Sequence, residues 1–202
     1  MPGMPADTAT EPHFPYASLE DVPEDVREAI LEVQEKAGFV PNVYLLLARR
    51  PAEFRAFFAY HDAVMGDREG SSLTKADREM VVTSISGANR CTYCVVAHGA
   101  LLRIYAQHPL LADQVATNYR TADITSRERS MLHFAHEVNA RSHEVTETDI
   151  AELAEHGFDP EDAWDIAAVT ALFGLSNRMA SVTGLMPNPE FYLMGRVPRQ
   201  QT

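Results

Sequence analysis

Helix starts punctuate this chain. Thr74-Lys-Ala-Asp77, Thr125-Ser-Arg-Glu128, Thr146-Glu-Thr-Asp149 and Asp159-Pro160-Glu161-Asp162 each offer a short polar side chain to the free backbone N–H groups of a first helical turn. An acid three residues later can return the bond. No segment alternates apolar and polar residues with period two over strand length, and the β-branched residues sit inside stripes of three- and four-residue spacing. The expected fold class is all-α, a helical bundle of about eight to ten helices.

Residues 1–20 carry Pro, Thr and Glu without a helical period and read as an N-terminal arm, with Phe14, Tyr16 and Leu19 as its anchors. From residue 21 to 202 the chain reads as a single all-helical domain. Asp21 is the expected cap of a first helix whose apolar stripe is Val26, Ile30, Val33 and Ala37. Gly38 stops it. Short helices are expected from Asn42 to Ala48 and from Pro51, the latter with Phe54, Phe57, Phe58, His61, Val64 and Met65 mainly on one side. After the Thr74 start come Met80, Val81 and Ile85, then an expected interruption over Ser86-Gly-Ala-Asn89-Arg90 and a new helix near Cys91.

The second half echoes the first. Ile124-Thr125-Ser-Arg-Glu128-Arg129 parallels Leu73-Thr74-Lys-Ala-Asp77-Arg78, so an internal helical repeat is expected, with cysteines only in its first copy. Trp164, Ile166, Ala167 and Phe173 read as core of a long helix, and His133 and His136 as surface or interface residues. Phe191-Tyr-Leu-Met194, in an irregular C-terminal tail, is apolar enough to need cover on the body or on a neighbouring subunit.

A formal net charge of −12 argues against nucleic acid and against an anionic membrane surface as partners. No apolar run approaches the roughly 18 to 20 residues a bilayer span requires, and the N-terminus lacks the basic start and apolar stretch of a signal peptide, so a cytoplasmic setting is expected. In a reducing compartment a lone Cys-x-x-Cys points to redox or metal chemistry rather than to a structural bridge.

Cys91, Cys94 and His98 stand at i, i+3 and i+7, along one face of a helix. A helix start near Cys91 favours thiolate over thiol there, while His98, one turn from Cys94, can assist that thiol as base or as cation. Spacing alone leaves the nucleophile open between the two sulfurs. Glu79 lies on the preceding helix and reaches this face only if the two helices form a hairpin; otherwise it is a solvated charge paired with Lys75 or Arg78. The duller reading of the cysteines is two small buried apolar residues. The competing chemical reading is a tetrahedral zinc site of Cys91, Cys94, His98 and Glu79 or His61, disfavoured by three donors on one helix.

The pattern Glu79-x(11)-Cys91-x-x-Cys94-x-x-x-His98 resembles the signature of alkylhydroperoxidase D-like proteins of the carboxymuconolactone decarboxylase superfamily. Cys91-Thr-Tyr-Cys-Val-Val-Ala-His98 and Pro187-Asn-Pro-Glu-Phe-Tyr-Leu-Met-Gly-Arg196 look like its peroxidase-related branch. The resemblance implies an all-helical fold with an internal repeat, no haem, flavin or metal, and homo-oligomers of two, three or six chains. It implies a thiol peroxidase for antioxidant defence, in which Cys94 attacks a hydroperoxide, Cys91 resolves the sulfenic acid as a Cys91–Cys94 disulfide, and His98 and Glu79 relay protons. A dithiol, of protein or lipoyl type, would reduce the disulfide. Where this family carries a second histidine, this chain has Tyr93, whose ordinary pKa of about 10 makes a poor base at neutral pH. Lactone decarboxylation, within the same superfamily, has no need of the cysteine pair. The alternative outside catalysis is a helical oligomer whose thiols bind zinc or sense oxidants.

Overall fold

The computed structural model describes residues 12–196. Among them are ten α-helices, two short 3-10 turns and no strand. Residues 1–11 of the expected arm and 197–202 of the tail lie outside this range.

The first helix, α1 (Glu24–Ala37), starts directly after Pro23, with Glu24 and Asp25 in its first turn and no side-chain cap. Asp21, expected as the cap, instead sits in a preceding turn, its N–H bonded to Ser18 O at 3.1 Å. Pro23 takes the cap position itself, where its missing N–H costs no helical bond, and Glu24 and Asp25 set negative charge at the positive end of the helix. Val26 and Ile30 are buried, but the apolar stripe ends early and Ala37 is exposed. Then follow α2 (Asn42–Leu47) and α3 (Pro51–Met65), whose Phe54 and Phe58 pack with Tyr44 in an aromatic cluster.

The centre of the molecule is α4 (Lys75–Ala88). Every residue from Asp77 to Ser86 is buried, so the helix has no solvent face through its middle. Its polar side chains therefore require partners. Asp77 closes the capping box with Thr74, and Arg78, 1% exposed, bonds Leu73 O, Ser71 Oγ and Asp165 Oδ2. Ser84 bonds His136 Nε2 at 2.9 Å and Ser86 accepts from Asn177 Nδ2 at 2.9 Å.

The expected interruption at Ser86 is shorter than the sequence implied. α4 continues through Ala88, and only Asn89 and Arg90 break it, Arg90 with φ 57°. Gly87 serves packing here: a Cβ on it would lie 2.1 Å from Ala116 O, so its absence lets two helices touch. After the turn, α5 (Thr92–Tyr105) runs back along α4, and α6 (Leu111–Asn118) crosses both.

A second set follows: α7 (Ser126–Arg141) and α8 (Glu147–Ala154), opened by the Thr125/Glu128 and Thr146/Asp149 boxes, then the long α9 (Pro160–Thr183) opened by Asp159/Asp162. α9 ends at Gly184, φ 67°, and packs against α3, α4, α5, α7 and α8. Its inner face is Ala163, Ile166, Thr170, Phe173, Asn177 and Ala180. Trp164, expected in the core, falls between those positions and is 72% exposed. His136, expected at the surface, is half-buried against Ser84 and Tyr119.

A last short helix, α10 (Pro189–Leu193), sets Phe191 edge-on to Phe39 at 4.9 Å between ring centres. Arg103 of α5 holds this segment by bonding Phe191 O and Met194 O. At the other end, residues 12–20 run over the surface, His13 bonding Thr183 O and Val182 O, and Ala17 bonding Leu45 O.

Candidate active site

The α4–α5 hairpin and the C-terminal half of α9 converge on the cysteines. Cys91 is the N-cap of α5, and its sulfur accepts from the Cys94 backbone N–H at 3.4 Å. That bond satisfies one of the four free N–H groups of the first turn and places the thiol at the positive end of the helix. Both cysteines are free thiols, each 1% exposed, in an apolar pocket with Leu46, Ala97, Ala180, Leu185 and Phe191.

The two sulfurs are electrostatically unlike. Cys91 is lowered to about 7, chiefly by the hydrogen bond from the Cys94 side chain, with help from the Cys94 N–H, His98 and Ser181 and against its burial. Cys94 is pushed up, chiefly because it is the donor in that same bond, and further by burial and by the Cys91 charge. The pair thus takes up one negative charge readily and a second with difficulty, with the resting charge on Cys91.

α9 lines the pair with polar groups that local sequence reading did not find. Ser176 Oγ lies 3.8 Å from Cys94 Sγ, the Asn177 amide also favours charge on Cys94, and the Ser181 side chain favours charge on Cys91. Asn177 is in turn fixed by Ser86 Oγ and Asn89 Nδ2. The available signal was the Ser176-Asn177 dipeptide directly after the mainly apolar stretch 166–175 of α9.

One turn past Cys94, His98 places Nδ1 at 2.7 Å from Glu79 Oε2. An ionised carboxylate only accepts, so Nδ1 carries the hydrogen and Nε2 remains the basic nitrogen. Glu79 therefore pairs across the hairpin, while Lys75 pairs with Asp67 and Arg78 with Asp165. Phe173 packs its ring edge-on against His98, 4.6 Å between centres. His61, on α3, also packs against Phe173, 6.4 Å between ring centres, and burial lowers its pKa.

Tyr93 is buried in the same apolar cluster, and desolvation raises its pKa against a smaller opposing effect of the Val43 backbone, so it is a packing residue. The donors of the zinc reading do not assemble: among the described residues no three His, Cys, Asp or Glu side chains are grouped to hold a metal ion. No helix among the described residues is long and apolar enough to cross a membrane.

Residues 51–135 match the model of the carboxymuconolactone decarboxylase family. The fold is similar to an alkylhydroperoxidase AhpD core, an uncharacterized peroxidase-related protein from Ralstonia eutropha JMP134, at 63% identity over 93% of this chain and 98% of that one, TM-score 0.91. An uncharacterized peroxidase-related protein from Silicibacter sp. TM1040 is similar at 38% identity, covering 94% of this chain and all of that one (100%), TM-score 0.86. The debrominase Bmp8 shares the fold, TM-score 0.69 at 21% identity over 89% of this chain and 94% of that one. A comparison with curated proteins returns no match.

Proposed function

The chain belongs to the carboxymuconolactone decarboxylase superfamily, in its alkylhydroperoxidase D-like part, and from that premise we propose that it is a thiol-dependent peroxidase that reduces hydroperoxides through a Cys91–Cys94 disulfide. The observation that carries the reading is the free cysteine pair, with the Cys94 N–H bonded to Cys91 Sγ, on the same hairpin as the Glu79–His98 dyad. A thiol peroxidase needs a thiolate, a second thiol within reach and a proton carrier, and these four side chains have those capacities.

In the proposed cycle Cys94 attacks the distal peroxide oxygen. Its proton passes to the neighbouring Cys91 thiolate, which places the thiolate on the attacking atom. The O–O bond breaks, Cys94 becomes a sulfenic acid, and the alkoxide leaves as an alcohol after protonation through His98. Cys91 then displaces hydroxide from the sulfenic sulfur, giving the disulfide and water. An external dithiol reduces the disulfide by exchange and is itself oxidised to a disulfide. Ser176 and Asn177 stabilise charge on Cys94 during attack, and Ser181 stabilises it on Cys91 at rest.

Both sulfurs are closed to solvent, so entry of a hydroperoxide requires displacement of a half-buried covering residue, and Tyr16, Phe39, Val43 and Val96 are packed over the cluster. A homo-oligomer belongs to the same proposal: Leu175, Met179 and Val182 follow one another along α9 at helical spacing, and they and Met186, just past its end, are all exposed.

The test is turnover of an organic hydroperoxide with a small dithiol as reductant. Two thiols per chain should disappear for each alcohol formed in a single turnover, and Cys94→Ser should turn over no peroxide. Turnover by Cys94→Ser equal to that of the wild type would sink the assignment.

A further inference from the structure

The proposed cycle has a proton that the four-residue site does not supply. With one charge on the resting pair, oxidation reads Cys91–S⁻ plus Cys94–SH plus ROOH plus H⁺, giving the disulfide, ROH and H2O. One proton enters from solvent in the oxidative half, and one returns when the dithiol restores the resting pair. Glu79 is only 7% exposed at its side chain and His98 14%, so the dyad is nearly sealed. His61, at 26%, is the more open of the two imidazoles that pack against Phe173.

We propose that His61 is the solvent-side member of a proton relay, exchanging protons between bulk water and the His98–Glu79 dyad through water beside Phe173. The inference rests on the thiol-peroxidase reading for its purpose. Two features of geometry support it. First, His61 and His98 pack against the same Phe173 ring, at 6.4 and 4.6 Å between centres. Second, the two imidazoles are built alike: His61 Nδ1 lies 3.1 Å from Asp62 Oδ1 as His98 Nδ1 lies 2.7 Å from Glu79 Oε2, so each keeps Nε2 for exchange.

The charged and titratable groups acting on His61 are Asp62 on α3, Glu79 on α4 and His98 on α5, the two carboxylates raising its proton affinity and His98 lowering it. Burial outweighs them and keeps the ring neutral near neutral pH, the state that can both accept and release a proton. Tyr93, next to Cys94 in sequence, cannot take this part because it is buried and desolvation raises its pKa. His61 acts through His98 and does not touch the sulfurs, which makes it a positioning residue.

The experiment uses the full chain as wild type, His61→Gln and His61→Ala. NMR of ring-labelled histidine measures proton exchange between the His98 ring nitrogens and water, which requires no substrate. Exchange should slow about tenfold in His61→Gln, and added imidazole should restore it in His61→Ala. In hydroperoxide assays kcat should fall by a similar factor with KM unchanged, and imidazole should again rescue the alanine variant. Exchange in His61→Gln equal to wild type, or a slowing that imidazole leaves in place, overturns the relay. A wild-type protein that turns over no hydroperoxide overturns the peroxidase reading instead, and the exchange rates then decide the relay by themselves.

Discussion

His98 Nδ1 and Glu79 Oε2 are 2.7 Å apart although they belong to different helices, because the turn at Asn89 and Arg90 folds α5 directly back along α4. The carboxylate fixes the tautomer and leaves Nε2 as the base. Glu79→Gln keeps the size of the side chain and its ability to accept a hydrogen bond, but removes the charge that stabilises the imidazolium. Hydroperoxide turnover should fall by about 100-fold, the low end of what general acid–base assistance supplies, while far-ultraviolet circular dichroism and the thermal midpoint stay close to wild type. Wild-type turnover in this variant would remove Glu79 from the mechanism.

The cysteine pair should titrate as a unit. Thiols become thiolates as pH rises, so a lowered Cys91 means that a charge appears through pH about 7, and a raised Cys94 means that the second stays protonated well beyond it. Thiolate absorbance near 240 nm should rise by one equivalent per chain through pH about 7 and then level off. Cys91→Ser should abolish that step. Ser181→Ala should move it to higher pH, since a donor to the thiolate is lost. Cys94→Ser exchanges the main donor for a hydroxyl and tests the S–H contribution directly. Two equivalents, or a midpoint near the ordinary thiol value of about 8.5, would contradict the shared-proton account.

Local signals carried much of this molecule. The boxes at Thr74, Thr125, Thr146 and Asp159 all form, because a cap depends on residues three apart and on little else. Cys91, Cys94 and His98 fall on one helix for the same reason of spacing, and Glu79 meets them because a short turn forces a hairpin. Tertiary context decided the rest. Gly87 read as a breaker, but contact with Ala116, distant in sequence, makes it a packing residue. Trp164 read as core from its apolar character, yet the inner face of α9 is set by which residues meet α4 and α5. Ser176, Asn177 and Ser181 gain meaning only from the thiols, far away in sequence, that they face.

Tyr93 stands in the cysteine motif but works for α2. Tyr93 is buried in the cluster against which Val43 of α2 packs, and the Val43 backbone acts on its hydroxyl. Tyr93→Phe should therefore cost about 1 kcal/mol in urea unfolding while leaving peroxide turnover within about twofold of wild type. A large loss of turnover at unchanged stability would make the phenol part of the chemistry.

Gly87 tests how tightly the hairpin is held. A methyl group at this position would lie 2.1 Å from Ala116 O and 2.9 Å from the carbonyl carbon, far inside van der Waals contact. Both atoms are backbone of α6, so no side-chain rotation relieves the clash. The intrinsic helix propensity of alanine exceeds that of glycine by about 1 kcal/mol, which alone would make the substitution stabilising. The packing term has the opposite sign, and overpacking against rigid backbone is worth about 3 kcal/mol, so destabilisation wins. Gly87→Ala should lower stability by about 2 kcal/mol in equilibrium unfolding. Relief requires α6 to shift from α4, and α5, which packs against both, carries the Cys91 cap. The thiolate step near pH 7 should therefore broaden or move upward in this variant. Increased stability would mean that helix propensity outweighs the close approach, and that glycine at this position is dispensable to the hairpin.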